Sequence, residues 1–152
     1  MAAIEGLVPP EGLEDDAAIL ALSRDPVPKA LRLQLPAEPR VLAKTRRSVR
    51  RWLREQGAEG EELAAVTIAV NEACANAIEH AYPPGPATFE LMAQADDGNV
   101  TITVRDSGRW REQRGSDRGR GVHMLKAAMD EVQINQIRTG TEVIMKRRLG
   151  PR

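Results

Sequence analysis

Apolar and polar positions divide the chain into recognisable elements. Leu31 to Leu35, "LRLQL", alternates as a half-buried strand does, and Pro36 ends it. The next segment predicts a helix from about Ala37 to Gln56, with Leu42, Val49 and Leu53 on its buried face and Gly57 as its C-terminal stop. Glu61 and Glu62 open a second helix, where negative charge suits the helix dipole, and it runs to about Ala81. "PPGP", Pro83 to Pro86, must break it. "ATFELMAQA" and "NVTITVRD" then read as an antiparallel pair turned by Asp97-Gly98. "GVHMLKAAMDEV", Gly121 to Val132, is predicted as a helix, and "VQINQIR" and "TEVIMKRRL" as a second strand pair joined through Thr139-Gly140. The expected fold is α+β: a two-layer sandwich of a mainly antiparallel sheet with helices on one face.

One of these helices breaks its own pattern. "NEACANAIEHAY", Asn71 to Tyr82, is rich in Ala, Cys and Ile, which normally seek a core. It nevertheless carries Glu72, Asn76 and His80 at steps of four, hence on one face. A polar stripe on a helix fit for burial calls for a ligand or a partner.

Composition narrows the setting. The chain has 152 residues, with 22 basic and 22 acidic side chains and a net charge near zero. That length suits one domain, and the balance points to neither nucleic acid nor an anionic membrane. Cys74 is the single cysteine, so no intrachain disulfide or zinc cluster is expected; it reads as a small core residue, and a reducing, cytoplasmic location fits. No apolar run approaches the roughly 20 residues that span a bilayer, and "MAAIEGLVPP" lacks the pattern of a signal peptide. The first predicted helix carries Arg40, Lys44, Arg46, Arg47, Arg50, Arg51 and Arg54. They form either a solvated face or a docking surface for an acidic partner.

Three glycine-containing stretches follow the polar stripe. "DSG" sets Asp106 and Gly108 at the end of an apolar strand, where an aspartate can accept from an exocyclic amine and glycine admits a close ligand. "DRGRGVHML" sets Gly119 and Gly121 before a helix, where free N–H groups can bind phosphate, with Arg114, Arg118 and Arg120 nearby. "TGTEVIM" sets Gly140 and Thr141 at the start of the last strand. Each alone is ordinary turn chemistry; their order is more specific.

In that order the motifs resemble the GHKL, or Bergerat, ATP-binding fold, and within it the anti-sigma factor serine kinases of bacterial stress and sporulation switches. "NEACANAIEHAY" resembles their asparagine box, "DSG" the first glycine box and "GRGVHML" the second, over residues 31–149. The resemblance implies that Asn76 offers an oxygen to Mg²⁺ on the ATP phosphates, and that Glu72 is general base toward a serine hydroxyl. It further implies that Asp106 binds the adenine amine, Gly108 lies against the base, Gly119 and Gly121 hold phosphates, and Thr141 supports the adenine site. Arg109 to Arg118 would be a short lid, in which the arginine that touches the γ-phosphate cannot be singled out. His80 is expected to pack or hydrogen-bond at the helix end; a histidine kinase would need a separate phosphoacceptor helix.

Implied partners are a STAS-domain anti-sigma factor antagonist as substrate and a sigma factor as the sequestered protein. A homodimer through the Leu31–Leu35 strand or the first helix is also implied. The alternative is an ATP-binding partner-switching module that holds a protein without phosphotransfer. Residues 1–30 form an N-terminal extension, in which "GLEDDAAILALS" resembles the closing segment of PP2C-type phosphatases. Asp15 and Asp16 would be orphan metal ligands there, which suggests a piece of a phosphatase–kinase fusion; the other reading is an ordinary acidic turn and strand.

Overall fold

A computed structural model describes residues 29–80, 87–107, 120–138 and 140–150. The elements run β1 (Ala30–Pro36), a 3-10 turn (Pro39–Val41), α1 (Leu42–Glu55), α2 (Gly60–His80), β2 (Thr88–Asp96), β3 (Asn99–Asp106), α3 (Arg120–Ala128), β4 (Glu131–Ile137) and β5 (Gly140–Arg148). The strands form one five-stranded sheet in the order β1-β2-β3-β5-β4, and every neighbouring pair is antiparallel. The expected α+β sandwich is the observed one.

Strand alternation sets the two layers. Leu33 pairs with Leu91, Leu91 with Val104, and Val104 with Val143, so one apolar row crosses four strands on a single face. Leu91, Ile102, Val104 and Met145 are fully buried there against α2 and its neighbours. The alternate positions, among them Arg32, Glu90, Thr103 and Lys146, lie on the other face. The β2–β3 hairpin turns on Asp97 and Gly98, at φ 44° and 74°, which is why Asp-Gly serves there.

The first two helices form an antiparallel pair closed by Gly57, at φ 103°. The amides of Gln56, Gly57 and Ala58 donate to the carbonyls of Trp52, Arg54 and Leu53, which satisfies the end of α1. Val49, Trp52 and Leu53 are buried, while Leu42 is only partly so. The basic side chains from Lys44 to Arg54 stand exposed.

Two boundaries differ from expectation. The regular helix begins at Leu42 rather than Ala37, because Ala37 N–H donates to Ala87 O at 2.8 Å and Pro39 starts a tighter turn. The third helix ends at Ala128 rather than Val132, because Glu131 and Val132 pair with Lys146 and Met145 as the first residues of β4. Asp130 marks the change: its carboxylate accepts from Arg148 N–H at 2.7 Å and from Arg147 Nη1 at 3.1 Å. Arg147 also lies 3.7 Å from Glu62 at the start of α2. The far end of α3 is thereby tied to β5 and to the beginning of α2.

Leu53 is wholly buried where α1 meets the core. Leu53→Ala is expected to lower unfolding free energy by about 2–5 kcal/mol, read as an earlier midpoint in a urea titration.

Candidate nucleotide site

The site grows from the burial of α2. Ala69, Val70, Ala73, Cys74 and Ala77 are buried along one broad face of it. Small residues let the helix lie close to the sheet, and Ala73 and Ala77 flank Asn76 on the side that meets β3 and β5. A narrow cleft opens there, lined by Ala73, Asn76, Ala77, Val104, Asp106, Thr141 and Val143. Val104 and Asp106 share a sheet face by period two, and so do Thr141 and Val143.

Asp106 and Thr141 are locked together. Thr141 N–H donates to Asp106 Oδ1 at 3.3 Å, and the Thr141 residue is 3% exposed. Gly140, at φ 150°, lets β5 start within touching distance of β3. A Cβ at that position would overlap the carbonyl oxygen of Asp106 and come within 2.8 Å of the Ser107 Cα. Gly140 therefore sets where Asp106 sits; in the sequence it reads only as a turn residue.

Glu72 and Asn76 converge on the first turn of α3. A Cβ at Gly121 would overlap Glu72 Oε1 and lie 3.2 Å from Glu72 Cδ and 3.4 Å from Asn76 Nδ2. Glycine at 121 thus admits the α3 backbone against the polar stripe. Glu72 and Asn76 are half-buried, lying between the core and the surface. The Asn71 side-chain oxygen, by contrast, is buried with no hydrogen-bond partner among the described residues.

Four of the seven expected site residues, Asn76 and Asp106 with Thr141 in one cleft and Glu72 beside Asn76, are thus brought together, and Gly121 completes the group as a fifth. Gly108, Gly119 and the stretch from Arg109 to Arg118 lie outside the described residues, as do the side chain of His80 and residues 1–28 of the N-terminal zone, with Asp15 and Asp16. The cleft walls Ala73, Ala77, Val104 and Val143 were not expected as site residues. Their signal is nonetheless present: small residues flank Asn76 on the helix, and strand alternation carries the two valines to the face of Asp106 and Thr141.

The residues present would fit a purine nucleotide: the apolar walls would take the flat ring, Asp106 would accept from an exocyclic amine, and Asn76 lines the same cleft. Cys74, on the buried side of the same helix, takes no part. Burial pushes its thiol up to about 12, so it stays neutral across the working range.

Residues 35–147 match the family model described as a histidine kinase-like ATPase domain. The chain belongs to that family. Within this ATPase family it is similar to the serine-protein kinase RsbW of Bacillus licheniformis, at 25% identity over 134 residues, covering 76% of this chain and 83% of that one. It is 32% identical over 105 residues to the anti-sigma F factor of Heyndrickxia coagulans, covering 59% of this chain and 71% of the relative. Among solved structures, the RsbU and RsbW domains of Rv1364c from Mycobacterium tuberculosis match with a TM-score of 0.69 at 30% identity. That match covers 83% of this chain but 34% of the other, so this chain spans about a third of that longer protein. The expected GHKL fold and the kinship with the anti-sigma factor kinases both hold.

Two outcomes follow from this geometry. Gly140→Ala should cost at least about 2 kcal/mol of stability and weaken ATP binding, because the new methyl must displace Asp106; thermal melts and nucleotide titration read the two effects separately. Cys74 should resist a thiol reagent at pH 8 in the folded protein and react fully once urea unfolds it, since the thiolate is the reactive form.

Proposed function

We propose that this chain is an ATP-dependent protein serine kinase of the partner-switching type. It binds Mg-ATP, phosphorylates a serine on a STAS-domain anti-sigma factor antagonist, and sequesters a sigma factor when that antagonist is phosphorylated. The observation that carries the reading is the placing of Glu72 and Asn76 one helical turn apart, at the edge of a cleft whose far wall is Asp106 and Thr141. Relatives named as serine-protein kinases and as an anti-sigma factor support it.

Each residue then has a task. Asp106, fixed by Thr141 N–H, accepts from the adenine amine and selects the base. Ala73, Ala77, Val104 and Val143 exclude water from the ring faces. Asn76 would offer its amide oxygen to a magnesium ion, and Gly121 admits the α3 backbone beside Glu72 and Asn76, where phosphates would lie; the family resemblance assigns Gly119 to the phosphates and Gly108 to the base. Magnesium, when bound, would supply positive charge against the charge that develops on transfer. Glu72 takes the proton from the serine hydroxyl as its oxygen bonds to the γ-phosphorus and the bond to the ADP oxygen breaks.

Glu72 packs against the first turn of α3. That contact keeps a second reading in view: a module that holds ATP and a partner without transfer. The chain carries no helix, among the described residues, long and apolar enough to cross a membrane; a cytoplasmic partner-switching role is compatible with that. The homodimer is part of the same proposal. So is a PP2C-type phosphatase partner or fusion, to which the two-domain Rv1364c chain lends support.

The test is transfer of labelled phosphate from Mg-ATP to STAS-domain proteins of the same genome. Acid-stable label on serine is expected, since phosphoserine survives acid and phosphohistidine does not. Glu72→Ala should retain ATP binding and lose about a hundredfold or more in transfer rate, whereas Asn76→Ala should weaken Mg-ATP binding itself. Transfer undiminished in Glu72→Ala removes the base assignment; ATP binding without transfer to any partner leaves the sequestering module.

A further inference from the structure

Only three large apolar side chains are exposed among the described residues, and two of them flank Glu72. Ile68 is 50% exposed and lies one turn before Glu72 on the same face of α2. Met124 is 45% exposed and lies one turn after Gly121, whose Cα abuts the Glu72 carboxylate. The two helices pack antiparallel. Gly121 at the start of α3 meets Glu72 and Asn76, and Asp130 just past its end is linked through Arg147 to Glu62 at the start of α2. Moving from Glu72 to Ile68 and from Gly121 to Met124 is therefore movement in one direction, by roughly 6 Å and 4.5 Å. The two residues thus lie at a similar level on neighbouring helices. Exposed Ala64 extends the patch along α2 and exposed Ala127 along α3.

We infer that this α2–α3 patch, anchored by Ile68 and Met124, docks the serine-bearing surface of the protein substrate. The inference rests on the kinase reading given above. On that reading the nucleotide fills the cleft on the sheet side of Asn76, so the acceptor hydroxyl has to reach Glu72 from the outer side, where Ile68 and Met124 are the exposed large apolar side chains among the described residues. The patch is continuous with the site: its two anchors are each one turn from the residues that hold the carboxylate. Its size argues against a second copy of the chain as the occupant. Two half-exposed side chains fall far short of the roughly 800 Å² per partner that a stable interface buries. They suit anchors of a transient contact, in which a few central side chains carry most of the affinity. The matching surface on the substrate would be apolar beside its serine.

The experiment uses the full chain, Mg-ATP and a STAS-domain protein from the same genome as probe. It compares wild type with Ile68→Glu, Met124→Glu and the double variant. Steady-state transfer gives KM for the protein substrate and kcat, nucleotide titration gives ATP affinity, and sedimentation gives the oligomeric state. KM is expected to rise about tenfold or more in each single variant, with ATP affinity, kcat and the thermal melt close to wild type. Ile68→Leu should restore the wild-type KM, which a merely misfolded helix would not explain. KM within twofold of wild type in both single variants overturns the inference while leaving the kinase reading standing. A wild-type dimer that becomes a monomer in Ile68→Glu overturns it too, by making the patch an interface between copies. Absence of transfer from wild type to every STAS protein fails the kinase reading itself, and the docking inference with it.

Discussion

The packing of α2 against the sheet is the constraint on which the rest depends. Its alanines, valines and Cys74 fill the space above β2, β3 and β5 almost completely. A helix so deeply placed cannot rotate without exposing core or burying charge. The direction of every polar group it carries is therefore fixed by hydrophobic burial alone. Asn76 points to the cleft and Glu72 to its rim because Val66, Val70 and Ala73 must point inward. The orientation of the two residues thus follows from the core.

Close approach is the second theme, and glycine makes it happen twice. Gly121 brings the start of α3 onto the Glu72 carboxylate, and Gly140 brings the start of β5 onto Asp106. The positions serve different parts of one site. One lies beside Glu72 and Asn76, the other beside Asp106 and Thr141. In both, the space a Cβ would need is already filled, so the side chain's absence is what lets two elements share the site.

Much of this was legible in the chain and some was not, for identifiable reasons. Strands β2, β3 and β5 alternate cleanly because one face is buried and the other meets solvent, so period and turn chemistry located them. The polar stripe of α2 stood out because it contradicted its apolar surroundings. The end of α3 did not: "MDEV" continues a helical pattern, and only the pairing of Glu131 and Val132 with β5, a tertiary event, stops the helix at Ala128. Trp52 was missed as a core residue because a run of arginines surrounds it, although it is 3% exposed. Gly140 looks like any hairpin glycine until Asp106, 34 positions earlier, is seen to lie against it. Local signals reveal elements; contacts between distant segments become visible only once the sheet is assembled.

Both ends of the described domain leave from one pole. Lys29 O accepts from Ala95 N–H, and Leu149 N–H donates to Gly98 O, each at 2.8 Å, beside the β2–β3 turn. Asp106 and Thr141 sit at the opposite ends of β3 and β5, roughly 20–25 Å away along the strands. The points where the described chain begins and ends are thus separated from the cleft by the length of the sheet. Such a layout makes the domain a cartridge: its two points of attachment stand at one end of the sheet, and the cleft of Asp106 and Thr141 at the other.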